Sequence, residues 1–267
     1  MRKITQLLLL LIGFTITLNA APKSCYEVYK IDKQNTIDTA VFILIDETTL
    51  FDQSLKDQII ANALSFVKHS NSLYIGKFSA LIGGKYNEVL FNFNLDTPLS
   101  DQERYDINKS TLNKIDKCLN DQIGFARKSV KNSIESSFGT NDIAKSDILY
   151  ALKDFAKSAI APLNAKRKIV ILASDMLENS AITSFYTNNA VREINSSKEL
   201  NIVANNNLFA DFGGAEVFII GTGVSSKKSY VNPKMLGALT SFWQEYFTKS
   251  NAILKDIGTP ALKNTIR

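Results

Sequence analysis

The sequence predicts a three-layer α/β domain, a mostly parallel sheet with helices on both faces, and three observations predict it. Val41-Phe42-Ile43-Leu44-Ile45, Ile169-Val170-Ile171-Leu172-Ala173 and Val217-Phe218-Ile219-Ile220 are short, continuous apolar runs rich in β-branched residues. That is the pattern of strands buried on both faces. Between the first two runs, Leu55, Ile59, Ile60, Ala63, Leu64 and Val67 recur at helical spacing, as do Ile148, Leu149, Leu152, Phe155 and Ala156. Strands that alternate with helices build a parallel sheet covered on both sides. Third, Leu73–Ser79, the Gly83-Gly84 turn and the alternation of Val89, Phe91 and Phe93 with Asn92 and Asn94 read as a hairpin at a sheet edge.

In chain order, residues 22–38 are a mixed, polar lead-in, and the first strand closes at Asp46. A helix follows over about 52–68. After the hairpin, residues 96–121 are polar, and helical patterning returns over about 122–137. The loop Gly139-Thr140-Asn141-Asp142 leads to a helix over about 147–159, stopped by Pro162. The fourth strand ends in Ser174-Asp175. Residues 180–212 are rich in Asn and Ser, with one helix expected near 188–204. Gly221-Thr222-Gly223 ends the next strand, Pro233 suits the first turn of a helix through about 248, and Ala252-Ile253-Leu254 is a short last strand.

The first twenty residues differ from the rest. Arg2 and Lys3 precede an apolar run from Leu7 to Phe14 that continues through Ile16 and Leu18, and Leu18-Asn19-Ala20 offers cleavage after Ala20. That anatomy predicts a secretory signal over 1–20, a lead-in over 21–38 and one domain over 39–267, exported to a periplasmic or extracellular space. Retention of the segment as an anchor is the alternative, although the apolar stretch is short for a span of about 20 residues. Lipidation at Cys25 is disfavoured by Pro22-Lys23-Ser24. Removal of Arg2 and Lys3 lowers the net charge from +5 to +3, too mild and too scattered to suggest nucleic acid. No membrane span is expected in the mature chain.

Several chemistries are excluded by count. His69 is the only histidine, so His-rich zinc sites are ruled out and a Ser-His-Asp mechanism would rest on one residue. Ile43-Leu44-Ile45-Asp46-Glu47 has the look of a Walker B strand, but Gly83-Gly84-Lys85-Tyr86 is not a phosphate loop. A haloacid-dehalogenase phosphatase would need a second Asp where Thr48 stands. A metal-dependent phosphoryl hydrolase using Asp46 and Asp175 is carried as the enzymatic alternative.

What remains is a constellation at strand ends. Asp46-Glu47-Thr48-Thr49 follows the first strand, Ser146-Asp147 opens a helix, and Ser174-Asp175 follows the fourth strand. In an open parallel sheet, ligands bind at the carboxyl ends of strands where the strand order reverses. Two carboxylates with hydroxyls there suit a hard cation. Helix capping by Thr48 and Ser146, with Asp46 and Asp175 accepting backbone N–H groups, is the structural alternative.

Over about residues 38–260 the chain resembles the von Willebrand factor A (VWA) family, whose fold is Rossmann-like with one antiparallel edge strand. The family's metal-ion-dependent adhesion site has D-x-S-x-S after the first strand, a Thr before a later helix and an Asp after the fourth strand. Asp46 matches the first Asp, Thr48 keeps a hydroxyl at the first Ser, Ser146 stands for the Thr, and Asp175 matches the last Asp. Leu50 occupies the second Ser position and cannot coordinate. The resemblance implies a protein-binding module, with Mg²⁺ as the cofactor of a degenerate site and a protein as partner, in a cell-envelope complex. Its binding rim would be 46–51, 138–146, 175–187 and 221–230. Phe185, Tyr186 and Tyr230 are the expected aromatic anchors, core burial being the alternative. A structural component with an inactive site is the third reading.

Cys25 and Cys118 are the only cysteines. An even count in an exported protein suggests one disulfide, against two buried free thiols. The topology implied by the resemblance brings both to the end of the domain opposite the site, where a bridge would tie the lead-in to the base.

Overall fold

The computed structural model describes residues 21–82, 85–139, 145–188, 190–224 and 231–267. The expected signal segment, the Gly83-Gly84 turn, residues 140–144 and Tyr230 lie outside the described residues. The elements are α1 (Cys25–Tyr29), β1 (Thr39–Asp46), α2 (Gln53–Ser65), β2 (Asn71–Ile82), β3 (Lys85–Asn94), α3 (Asp101–Tyr105), α4 (Lys109–Ser137), α5 (Ile148–Phe155), β4 (Arg167–Ala173), β5 (Tyr186–Thr187), β6 (Ala190–Val191), α6 (Ser196–Asn205), β7 (Glu216–Ile220), α7 (Pro233–Lys249) and β8 (Ile253–Ile257).

Six strands form one sheet in the order β3-β2-β1-β4-β7-β8, and β5 and β6 make a small separate hairpin. All neighbours in the large sheet are parallel except β2 and β3. The fold is therefore a three-layer, Rossmann-like α/β sandwich with one antiparallel edge strand. Strand order reverses between β1 and β4, which pair side by side with Ile43 opposite Ile171 and Ile45 opposite Ala173.

The continuous apolar runs are explained by burial on both sides. Ala40, Phe42, Leu44, Val170, Leu172, Val217 and Ile219 face α5, α6 and α7, while Val41, Ile43, Ile45, Ile169, Ile171 and Ala173 face α2 and α4. Side chains of successive strand residues alternate between the two cores. Local signals set the helix starts. Asp52 accepts from Leu55 N–H to cap α2, Asn195 caps α6, and Asn232 caps α7 ahead of Pro233. The C-terminal tail returns across α2, where Gln58 exchanges hydrogen bonds with the Leu262 backbone and Ile266 N–H donates to Asn62.

The polar reading of 96–121 is corrected: α3 and the first half of α4 lie there, and α4 is one 29-residue helix. Ile115 and Leu119 carry its apolar stripe, buried against Cys25, Tyr26 and Leu99 in a third, small core. That core exists only because the lead-in folds back as α1, so a window dominated by Lys, Asn and Asp gave too few apolar matches. The helix expected near 188–204 begins at Ser196, because 186–191 is spent on the β5–β6 hairpin. The last strand runs on to Ile257; as an edge strand it tolerates Lys255 and Asp256, which break the apolar run.

Cys25 and Cys118 form a disulfide, with Cα atoms 5.9 Å apart. Buried Asp96 fastens the same segment, accepting from Cys25 N–H (2.6 Å), Ser24 Oγ (3.0 Å), Asn35 Nδ2 (2.6 Å) and Gln122 Nε2 (2.9 Å). Asp96 follows the end of β3, beside the start of β2, so this anchorage lies opposite Asp46. Among the described residues no helix is long and apolar enough to cross a membrane.

Candidate functional site

β1 delivers Asp46 to the carboxyl edge of the sheet at the point of strand reversal. Its carboxylate is wholly buried and accepts four hydrogen bonds. Oδ1 takes Thr48 N–H (3.0 Å) and Thr48 Oγ1 (2.6 Å), and Oδ2 takes Ser174 Oγ (2.8 Å) and Ser146 Oγ (3.2 Å). Burial pushes the Asp46 pKa up, while the three hydroxyls and the Thr48 N–H pull it back.

Asp175 stands beside it. Its N–H donates to Thr49 Oγ1 (3.1 Å), and its Oδ1 accepts from Leu177 N–H (2.8 Å). Burial, and then the charge of Asp46, push its pKa well above the usual carboxylate range. Two such carboxyls resist ionising together, and a cation between them would relieve that cost. The next residue, Met176, is buried with φ 63°, an uncommon backbone for a non-glycine side chain. Ser174 Oγ accepts from its N–H (2.9 Å), and Trp243 Nε1 donates to its carbonyl (2.9 Å). The β4 exit loop is thus gripped from β1 on one side and from α7 on the other.

Ser146 is placed by a short backbone bridge and a remote cap. Ser146 and Asn179 exchange backbone hydrogen bonds (2.9 and 3.3 Å), and Asp147 N–H donates to Ser79 O. The N-terminus of α5 is then capped across the fold by Glu178, whose Oε2 accepts from Leu149 N–H (2.9 Å). Glu178 is fully buried, and its Oε1 has no hydrogen-bond partner among the described residues. Gly139 closes the other flank: a Cβ there would come within 1.8 Å of Glu47 O, so only glycine allows the approach.

Burial raises the Glu178 pKa to about 8, from an ordinary 4.5. The native state therefore keeps a proton that the unfolded chain releases between those values. The contribution to stability is complete below about pH 4.5 and is lost as pH rises through about 8, with a limiting slope of about 1.4 kcal/mol per pH unit. Asp46 and Asp175, also raised, act in the same direction. Urea denaturation across that window should show the decline, and Glu178→Gln should flatten part of it. An unchanged slope in the variant would remove Glu178 as a source.

The four residues expected to bind a cation, Asp46, Thr48, Ser146 and Asp175, are brought to one place, and Leu50 adds no oxygen. Ser174 and Thr49, part of the strand-end constellation in the sequence but not among the expected cation ligands, complete the cluster. Which groups their hydroxyls meet has no local signal, since each partner lies more than 120 positions away. Thr222, two residues past the end of β7, has a buried hydroxyl without a partner among the described residues. Among those residues no cluster of three or more His, Cys, Asp or Glu could hold a metal. The available set is two carboxylates and hydroxyls, the hard oxygen donors that Mg²⁺ and Ca²⁺ take.

Of the three expected aromatic anchors, Phe185 takes the alternative of core burial. Phe185 is wholly buried, packed edge-on to Phe242 with centroids 5.3 Å apart, under the Arg192 guanidinium. It is a core residue because the β5–β6 hairpin folds inward over α7. Tyr186 is only half-buried and packs against the same core. Tyr230 lies outside the described residues.

Fold and site together define a three-layer α/β protein with a buried, oxygen-rich cluster at its strand reversal. No family model matches the chain, and no curated protein does. Among solved structures it overlaps proximal thread matrix protein 1 from the mussel byssus, at 10% identity and a TM-score of 0.37. The overlap covers 87% of this chain and 49% of that one, so the chain spans about half that protein's length. At that score and identity the likeness carries no functional inference.

Proposed function

We propose that this chain is an exported, VWA-like protein-binding module that engages its partner at the rim around Asp46 and Asp175, and that the cluster there takes a divalent cation. The observation that carries the reading is the convergence of the Thr48, Ser146 and Ser174 hydroxyls on the Asp46 carboxylate, with Asp175 alongside, where the strand order reverses. The antiparallel edge strand supports it, as does a disulfide that suits an oxidising compartment. In this reading Asp46, Thr48, Ser146 and Asp175 hold Mg²⁺, with water in the place of Leu50, and the cation offers a coordination position to a carboxylate of the partner.

The hydrolase reading is the weaker one. Thr48 stands two positions after Asp46, where a phosphatase with an Asp nucleophile needs its acid/base Asp.

Thermal melting with EDTA, Mg²⁺ and Ca²⁺ tests the proposal. A cation at 100 times its Kd should add about 2.7 kcal/mol. The gain should grow as pH rises, because the raised carboxyls must lose protons to coordinate. It should vanish in Asp175→Asn. No shift with either cation at any pH would leave the cluster as structural capping, and turnover of a phosphate ester abolished by Asp46→Asn would revive the hydrolase.

A further inference from the structure

A second surface lies away from this cluster, and the inference drawn from it does not depend on the cation reading. A groove of about 1020 Å³ runs between one flank of α4 and the edge strand β3, near the point where the lead-in is pinned by the disulfide. Its α4 wall carries Lys114, Lys117, Phe125 and Lys128, spaced three, eight and three residues apart as one helical stripe. From Lys114 to Ser133, the last residue on that wall, the stripe spans about 28 Å. The β3 wall contributes Leu90 and Phe91.

That apolar wall is built by an irregularity. In the β2–β3 ladder Ile75 faces Phe91 and Gly76 faces Val89, so Leu90 is the extra residue of a bulge. The bulge turns Leu90 toward the α4 side together with Phe91, where strict alternation would separate them. Leu90, Phe91 and Phe125 are only partly buried there, packed against the core beneath α2 and α4. Two of the exposed large apolar side chains, Val28 and Val89, are next in sequence to groove-lining residues, Tyr29 and Leu90.

The rim sets the chemistry of the occupant. Lys114, Lys117 and Lys128 are exposed, and none belongs to an ion pair among the described residues. Among the described residues that line the groove, Asp121 is the only acidic one. Residues 1–20 contain Arg2 and Lys3 and no acid, so they offer these lysines no carboxylate. A second copy docked face to face would set these lysines against the same lysines. A flat bilayer would meet the lysines but not the recessed apolar wall. We infer that the α4–β3 groove docks an acidic, amphipathic segment of a protein partner, its apolar side on Leu90, Phe91 and Phe125 and its carboxylates on the three lysines.

The probe is a fluorescently labelled model peptide with glutamates on one helical face and leucine and phenylalanine on the other. A lysine-for-glutamate peptide and phosphatidylglycerol vesicles are the comparisons. Anisotropy titration should saturate with the acidic peptide only, weaken with salt, and weaken by about tenfold or more in K114E/K117E/K128E. These exposed changes leave the fold intact, which near-ultraviolet circular dichroism checks. Amide chemical shifts should move on α4 and β3 and not around Asp46. Four outcomes would overturn the inference: equal binding of both peptides, shifts elsewhere, vesicles displacing the peptide, or a concentration-dependent dimer that the triple variant abolishes. Loss of the cation response alone would leave it standing.

Discussion

Replacing both cysteines with serine should lower the stability of the folded chain by about 4–5 kcal/mol, the largest effect expected from any small change. The bridge closes a loop of 93 residues, and the constraint acts mainly on the unfolded ensemble, which becomes freer when it is cut. The native lead-in should stay docked, because Asp96 still accepts from Cys25 N–H, Ser24, Asn35 and Gln122, and Tyr26 remains against Leu99, Ile115 and Leu119. Urea denaturation of the oxidised protein and the double variant measures the difference. A loss below about 1 kcal/mol would mean that the unfolded chain is already compact around this segment. The cation response should not change, since the bridge lies at the end of the sheet opposite Asp46.

Trp243→Ala should cost about 3–5 kcal/mol. The indole is fully buried in an aromatic cluster with Phe185, Phe242, Tyr246 and Phe247. Its Nε1–H also holds the carbonyl of Met176, the strained residue that follows Asp175. Trp243→Phe separates the two roles. It keeps most of the packing but leaves a buried carbonyl unpaired, a loss of about 1–3 kcal/mol. If the indole positions the Asp175 loop, the Phe variant should also show a smaller melting shift with Mg²⁺ than the wild type. Lower stability with an undiminished shift would make Trp243 a core residue without influence on the cluster.

The strands were legible because their burial on both faces writes itself as uninterrupted apolar runs, and five of the six large-sheet strands were located from such runs or from alternation to within a few residues. The last strand was legible only at its start, since an edge strand can carry Lys255 and Asp256. The amino-terminal half of α4 was not legible at all. Its apolar stripe of Ile115 and Leu119 is sparse, and it pays off only against a lead-in some ninety residues earlier in the chain. The same holds for Phe185, where an aromatic in a Ser- and Asn-rich stretch looks exposed until the β5–β6 hairpin turns it under α7.

The sequence by itself determined the layer order of secondary structure, the candidate acids at strand ends and the exclusion of histidine-based chemistry, because these depend on residue type and local period. Only the tertiary structure decided that Ser174 and Ser146 donate to one carboxylate, that Glu178 caps a helix 29 positions before it, and that a bulge at Leu90 opens a groove beside α4. Each of those is a meeting of groups far apart in the chain. Hydrogen bonds and shared burial carry no local signature, so they come into being only when strand order and helix placement are fixed.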